Sequence, residues 1–440
     1  MSPTDENPRG VDRRDFITTA VAIGGSAALS ACLARETDGE GSRADTATES
    51  EATFPTGDGT AALPARQHAW NEWLVTDAHG NTVLPRRQVV LGLAYTGSVP
   101  PTESDRQAVA SALGSLEDAY AYGTGGDTAA SINDGLLTML GYSGRYFERL
   151  GEESPVTPPE DVLDAVGEDP ALADDFDALL LLSSDYGSVL LEAEQALFGD
   201  REAANGTAIE GSLADVFEVR TRRSGVAGKG LPAEKLSHDG VPEQAPMSMG
   251  FRSSFSGNQA TEDRVTIREG RFAGGTTLLA SRLNIDIDRW YEQSVDDRVG
   301  EMFCPAHDAE EVGEVGARLG SDSGITEADV DRIPEDADEY DQLGHGQKVA
   351  AARDEEFEPT ILRRSEAVAG DVPGGAAFNF HSVQRHLDAF IETRRAMNPD
   401  DYDHDVAAEN HGIDSYLETV ARGTFVVPPR DQRALPTRDS

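Results

Sequence analysis

Val89-Val90-Leu91-Gly92-Leu93-Ala94-Tyr95 begins the series of elements whose order decides the fold. The run reads as a strand. A turn through Pro100-Pro101 follows, and Thr102 then opens a helix with Asp105 at the capping-box position, although Asp fits that box less well than Glu. Val109, Leu113, Leu116 and Tyr120 share one helical face. Strand-like runs come next at Gly135 to Leu140 and Ala178 to Ser183. A helix carrying Val189, Ala193 and Leu197 and a strand from Val216 to Arg220 complete the order β-α-β-β-α-β.

The second half repeats that order loosely. Strands are expected at Thr276 to Ile285, Thr360 to Ala367, Gly375 to His381 and Gly423 to Val427, with helices from about Asp286 to Phe303 and from His386 to Arg395. The chain is therefore read as α+β, two ferredoxin-like units whose sheets pack together. The boundary falls in the polar, Pro-containing connector near Pro242 to Pro246. This divides the chain into a leader (1–32), an acidic linker (33–62), an N-terminal unit (63–245), a C-terminal unit (246–430) and a tail (431–440). The acidic stretches 306–342 and 396–412 show little apolar periodicity and read as surface insertions.

The leader carries Asp12-Arg13-Arg14-Asp15-Phe16-Ile17, then a Gly/Ala-rich apolar run ending in Leu29-Ser30-Ala31-Cys32. Twin arginines ahead of a short apolar segment are the layout of a Tat export signal, which implies the Tat translocase as a transient partner. Small residues before Cys32 resemble a lipobox. The expected location is the outer face of the cell membrane, with the protein lipid-anchored at Cys32 or, if cleaved nearby, secreted. Residues 33–62 hold almost no aliphatic side chains and are expected to form a disordered tether.

Eighty acidic residues against thirty-seven basic ones leave a net charge of −43, and only Lys229, Lys235 and Lys348 are lysines. At ordinary salt such self-repulsion strains a compact fold; near 1 M salt the Debye length is about 3 Å and the repulsion fades. The chain reads as halophilic. Its charge argues against nucleic acid as a partner. With Cys32 in the leader, Cys304 is left alone, so neither a disulfide framework nor a Cys-based zinc site is expected.

Most histidines have bland readings. His381 and His386 are five apart and off a common helical face. His404 and His411, near Asp401, Asp403 and Asp405, read as a solvated acidic loop. His345 stands between Gly344 and Gly346, which would let a flat ligand approach the backbone; by itself it still reads first as a turn histidine. Arg363, in Ile361-Leu362-Arg363-Arg364, reads by itself as a salt-bridge partner.

Several segments in the right order change that balance. Arg66-Gln67-His68-Ala69, Gly80-Asn81, Leu136 to Gly141 and Asp177 to Leu180 are the weaker ones. Gly274-Gly275-Thr276-Thr277, Trp290 with Val299-Gly300, His345, Ile361-Leu362-Arg363-Arg364 and Gly423-Thr424-Phe425-Val426-Val427-Pro428-Pro429 are the sharper ones. With them the mature chain resembles the dye-decolourising (Dyp-type) peroxidase family, as a divergent, haloarchaeal-type, Tat-exported member. The resemblance implies a dimeric α+β barrel and one haem b per chain. It implies His345 as the axial ligand to iron, Arg363 as the distal arginine that assists peroxide cleavage, and a cofactor pocket touching Gly250, Phe251 and Gly275. Peroxide and an unknown reducing substrate would be the small-molecule partners; a homo-oligomer is left open.

Two departures accompany the resemblance. The family's distal Gly-x-x-Asp-Gly reads Gly250-Phe251-Arg252-Ser253-Ser254, so Ser253 occupies the catalytic aspartate's place. A hydroxyl is no base near neutral pH, and losing a positioned base costs about 10²- to 10⁴-fold in rate. Glu262 or Asp263 is the candidate substitute. Behind the axial histidine, where the family often has an acid, the best match is Gln384. The leading function is thus a divergent haem peroxidase, with Trp290, Tyr291 or Tyr340 as candidate electron relays. The alternatives are a catalytically weak haem-binding or haem-handling lipoprotein, and a scaffold without haem. Asn205-Gly206-Thr207 is a glycosylation sequon.

Overall fold

Residues 52–125, 132–236, 238–252, 254–369, 375–398, 406–407 and 410–438 are described by the structure, a computed structural model. The expected leader with Cys32, Ser253 and His404 lie outside them. Residues 51–440 form one compact unit.

The first half supplies β1 (Arg87–Tyr95), β2 (Leu137–Tyr142), β3 (Ala178–Ser184) and β4 (Phe217–Val226). The second supplies β5 (Thr276–Ile285), β6 (Leu362–Arg363), β7 (Glu366–Ala369), β8 (Ala376–Gln384) and β9 (Leu417–Val427). Within the halves the strands run β2-β3-β1-β4 and β7-β8-β5-β9, the same ferredoxin-like order twice, with every pair antiparallel. The halves join edge to edge, β9 to β2 through Val426 and Tyr142 and β4 to β7 through Val226 and Ala367, closing an eight-stranded barrel. This is the α+β architecture that the element order predicts.

Period-two alternation sends side chains to both faces of each strand, and in β1, β2 and β3 both faces are buried. Val89, Leu91, Leu93 and Tyr95 point outward onto α1 (Glu103–Ala119) and α2 (Gly187–Phe198), meeting Val109, Leu113, Leu116, Val189, Ala193 and Leu197. Val90 joins Leu179, Leu181, Leu137 and Met139 with Leu278, Leu362, Val383 and Phe425 from the second half, filling the barrel. The capping box at α1 forms: Thr102 Oγ1 accepts from the Asp105 amide at 3.1 Å, and Asp105 Oδ2 from the Thr102 amide at 2.8 Å.

Each seam is thin and has its own device. At β2/β9 the buried amide of Gln67 accepts from Leu140 N (3.0 Å) and donates to Leu140 O (3.1 Å) and Pro428 O (2.9 Å). At β4/β7 a Cβ on Gly225 would stand 2.5 Å from Glu366 Cβ, so only glycine lets the two edges meet.

Several expectations are corrected. The helix predicted over 286–303 is two, α3 (Ile287–Glu292) and α4 (Val295–Met302), because Ser294 caps a new start by accepting from Asp297 N at 3.1 Å. The strand predicted over 360–367 is β6 and β7, interrupted at residues 364–365 but in one register on β8, Arg363 facing Ser382 and Glu366 facing Asn379. The tether ends earlier than Leu63, since Thr53 N and Phe54 N donate to Asn205 Oδ1 at 2.8 and 2.9 Å, and the Phe54 ring packs on the α1–α2 core. The sequon amide of Asn205 is that clamp. Its Nδ2 donates to Phe54 O and Ala119 O, and the residue is 6% exposed, so it is closed to a glycan. The insertion 306–342 is not wholly superficial: Val312, Ile325, Ile333 and Ala337 are buried, and Asp336 is 1% exposed.

Candidate functional site

A cavity opens on the outer face of the second half's sheet, between β5, β8, β9 and the helices α4, α5 (His345–Ala351) and α6 (Asp388–Arg395). Its volume of about 210 Å³ compares with the ~10–15 Å³ that one water needs. The walls are mainly apolar. Met249, Phe251 and Phe255 come from the loop before β5, Phe303 from the end of α4, Phe378 and Phe380 from alternate positions of β8, and Phe390 from α6. His345 and Arg363 both face this space, so the structure brings together the two residues that sequence marks as axial and distal.

His345 is the first residue of α5. A Cβ on Gly344 or Gly346 would fall 2.3 or 2.8 Å from the carbonyl oxygen of Phe303, and Gln347 N donates to that same oxygen at 3.1 Å. The flanking glycines therefore serve chiefly to pack the start of α5 onto the end of α4, not to admit a flat ligand, although Gly346 also lines the cavity. On the far side of α5, Gln347 Nε2 donates to Asp336 Oδ2 at 2.6 Å and to Asp329 O at 3.0 Å, so the acidic insertion holds the histidine's helix. Lys348, fully buried, donates from Nζ to Met397 O, His411 O and Asp414 Oδ2, each at 2.7 Å.

Burial, then the charges of Arg363, Lys348 and Arg394, hold the His345 pKa well below its ordinary value. The imidazole is neutral at ordinary pH, the form that ligates metals. Its Nδ1 is buried without a hydrogen-bond partner among the described residues. Gln384 does not orient it: that side chain is fully buried, with Oε1 accepting from Ser382 Oγ at 2.9 Å and Nε2 directed at Thr277. Burial pushes the Arg363 guanidinium down to about 10, with the charge of Arg353 adding to the effect. The Arg363 amide is fixed by Gln259 Oε1 at 2.8 Å.

Other expected site residues lie elsewhere. Met249 and Phe251 line the cavity, whereas Gly250, at φ +93°, turns the chain between them. Gly275 is outside the lining; a Cβ there would stand 2.3 Å from the Val427 carbonyl oxygen, so its role is close strand packing. Glu262 is committed, Oε1 accepting from Trp70 N (2.6 Å), Asn71 N (3.0 Å) and Arg364 Nη2 (2.7 Å). Asp263 is exposed and paired with Arg66. Neither faces the cavity, so neither replaces the family's aspartate. Trp290 is fully buried and donates from Nε1 to Met249 O at 3.0 Å, while Tyr291 Oη donates to Ser248 O at 2.8 Å, so both pin the loop that carries Phe251. Tyr340 is on the surface. Burial pushes the Cys304 thiol up to about 11, an inert small hydrophobe.

Sequence reasoning missed Arg353, Arg394 and Arg422, which also line the cavity. Arg422 was within reach of alternation along β9, had the strand been started at Leu417 instead of Gly423.

No curated protein matches the sequence. Residues 85–429 match the model described as "Family of unknown function (DUF7405)", and the chain belongs to that family. Among solved structures it is similar to a complex of DtpA from Streptomyces lividans, at 16% identity and a TM-score of 0.55, over 81% of this chain and 93% of that one. A DyP-type peroxidase from Streptomyces coelicolor gives 15% identity and 0.53, over 82% and 95%. One from Cellulomonas bogoriensis gives 16% and 0.50, over 84% and 100%. The fold is that of the Dyp-type peroxidases.

Proposed function

We propose that this chain is an exported haem-binding protein of Dyp-type peroxidase kind, holding one haem b in the cavity and reacting with peroxide. One observation carries the reading: a neutral imidazole at His345 and the buried Arg363 share one mainly apolar cavity in a Dyp-type fold. The residues present fit the group. Apolar walls suit the macrocycle, the lining arginines suit its carboxylates, and His345 suits its iron. When bound, haem supplies a redox-active iron that exchanges electrons with peroxide and a donor. Arg363 would donate hydrogen bonds to peroxide and stabilise the negative charge that grows as the O–O bond breaks.

Among the described residues no free carboxylate lines the cavity to carry the proton. Ser253 is no base, Glu262 and Asp263 are engaged elsewhere, and the one carboxylate in the described lining, Asp414, is tied to Lys348 at 2.7 Å. Turnover should therefore be slower by about 10²- to 10⁴-fold than with a positioned base. That same observation favours a second reading, a haem-handling protein without peroxidase turnover.

Absorption spectroscopy of the full chain in high salt with added haemin tests both. A Soret band lost in His345→Ala, together with peroxide-dependent spectral change and donor oxidation, is expected. A band with no response to peroxide leaves only the haem-handling reading, and no band sinks both. Tat export and lipidation at Cys32 belong to the same proposal, resting on Arg13-Arg14 and the small residues before Cys32. Mass analysis of the mature N-terminus checks them; an N-terminus without an acyl-modified Cys32 would remove the anchor.

A further inference from the structure

The chain has six methionines, and the cavity takes four of them. Met1 lies outside the described residues and Met139 fills the barrel, while Met247, Met249, Met302 and Met397 all line the space that His345 faces. Three separate segments deliver them. In the loop before β5, Gly250 N donates to Met247 O and Trp290 Nε1 to Met249 O, both at 3.0 Å. Met302 ends α4, and Met397 O, just past α6, accepts from the buried Lys348 Nζ at 2.7 Å. Pinned backbones thus hold unbranched, polarisable side chains against one wall.

What is missing beside them matters as much. The chain carries ten tyrosines, three tryptophans and two cysteines, yet none of the described lining residues is one of these. The side chains that give up single electrons are kept out of the wall, and the one that takes up a whole oxygen atom is gathered there.

A thioether also needs no carboxylate base. Its sulfur lone pair attacks one oxygen of hydrogen peroxide, the O–O bond breaks, the proton of the transferred OH passes to the departing hydroxide, and a sulfoxide and water result; sulfur loses two electrons and peroxide gains them. That chemistry suits a described lining whose charged residues, apart from His345, are five arginines and Asp414, itself held by Lys348 at 2.7 Å. Guanidiniums favour the departing hydroxide.

We propose that Met247, Met249, Met302 and Met397 are the oxygen-atom acceptors of the cavity, oxidised to sulfoxides by the peroxide it admits, and that the product loosens the cavity's hold on haem. This rests on the haem-and-peroxide reading above and adds its regulation. An apolar thioether becomes a polar, bulkier sulfoxide in a mainly apolar wall, so peroxide that arrives without a donor lowers the affinity for the cofactor.

The full-length chain in high salt, with and without one equivalent of haemin, is given hydrogen peroxide and no donor, then digested and weighed peptide by peptide. With haemin, a gain of one oxygen atom on the cavity methionines is expected, with Met139 unchanged; without haemin, the same dose should oxidise them far less. Haemin affinity of the oxidised chain should fall by about tenfold or more, the scale for burying a polar group whose partners are not in place. Leucine at all four positions changes volume little, so the variant Met247→Leu, Met249→Leu, Met302→Leu, Met397→Leu should still give a Soret band and keep its haemin affinity through the same treatment. The mass measurement on the unaltered chain stands even if that variant does not fold. A Soret band with the cavity methionines unoxidised, equal oxygen uptake with and without haemin, or an oxidised chain that holds haemin as before would each overturn this proposal and leave haem binding standing. Absence of a Soret band would remove both.

Discussion

Gly412 has φ +65°, and a Cβ on it would stand 2.8 Å from the His345 backbone nitrogen and 3.0 Å from the Glu301 carbonyl oxygen. The left-handed backbone and the close approach act together here, so Gly412→Ala should cost about 1–3 kcal/mol and shift the start of α5. Lower thermal stability and weaker haemin binding are both expected; unchanged values of both would show that Gly412 does not set the position of His345. At this scale the sequence was partly legible. His345, Arg363 and Phe251 stood out through local pattern and order. Gln384, Glu262 and Asp263 were misplaced because their roles depend on which face of a strand or loop they occupy, and only the partner segments decide that. Gly344 and Gly346 were noticed but given the wrong neighbour: the Phe303 carbonyl arrives from α4, more than forty residues away in sequence.

Secondary elements were the most legible level, since period-two and helical apolar spacing carry their own physics. The errors sit where a polar side chain overrules periodicity. Ser294 splits the 286–303 helix by capping, and the apolar residues of 306–342 were too sparse to reveal that the insertion backs α5. Glu301 on α4 belongs to this level. It is 3% exposed, accepts from Tyr416 Oη at 3.2 Å, and burial raises its pKa to about 7. A carboxyl raised from 4.5 in the unfolded chain to about 7 in the folded one favours folding fully only while protonated. Stability from this group is therefore present below about pH 4.5, declines as pH rises, and is lost above about 7, a swing on the order of 3 kcal/mol. Glu301→Gln, neutral throughout, should lack that component. Denaturant unfolding of both proteins between about pH 4.5 and 8 gives the comparison, and a difference that stays constant across the window would show that Glu301 is not the titrating group.

For the whole molecule, the sum of charge was readable and its distribution was not. Composition gives −43, while the reversed sign inside the cavity depends on Arg422, Arg394, Arg353 and Arg363 being delivered to one space by four separate segments. The surplus acids consequently lie away from the cavity, where they repel one another in water. Their repulsion is long-ranged at 0.1 M salt, where the Debye length is about 10 Å, and nearly extinguished at 1 M, where it is about 3 Å. The melting temperature of the full chain should therefore climb with sodium chloride, with most of the gain complete by about 1 M. Screening depends on ionic strength, not on excluded volume, so sucrose at matched osmolality should not reproduce the climb. A melting temperature that is flat or falls with salt would mean that the acidic surface does not limit the stability of this fold, and the halophilic reading of its composition would fail.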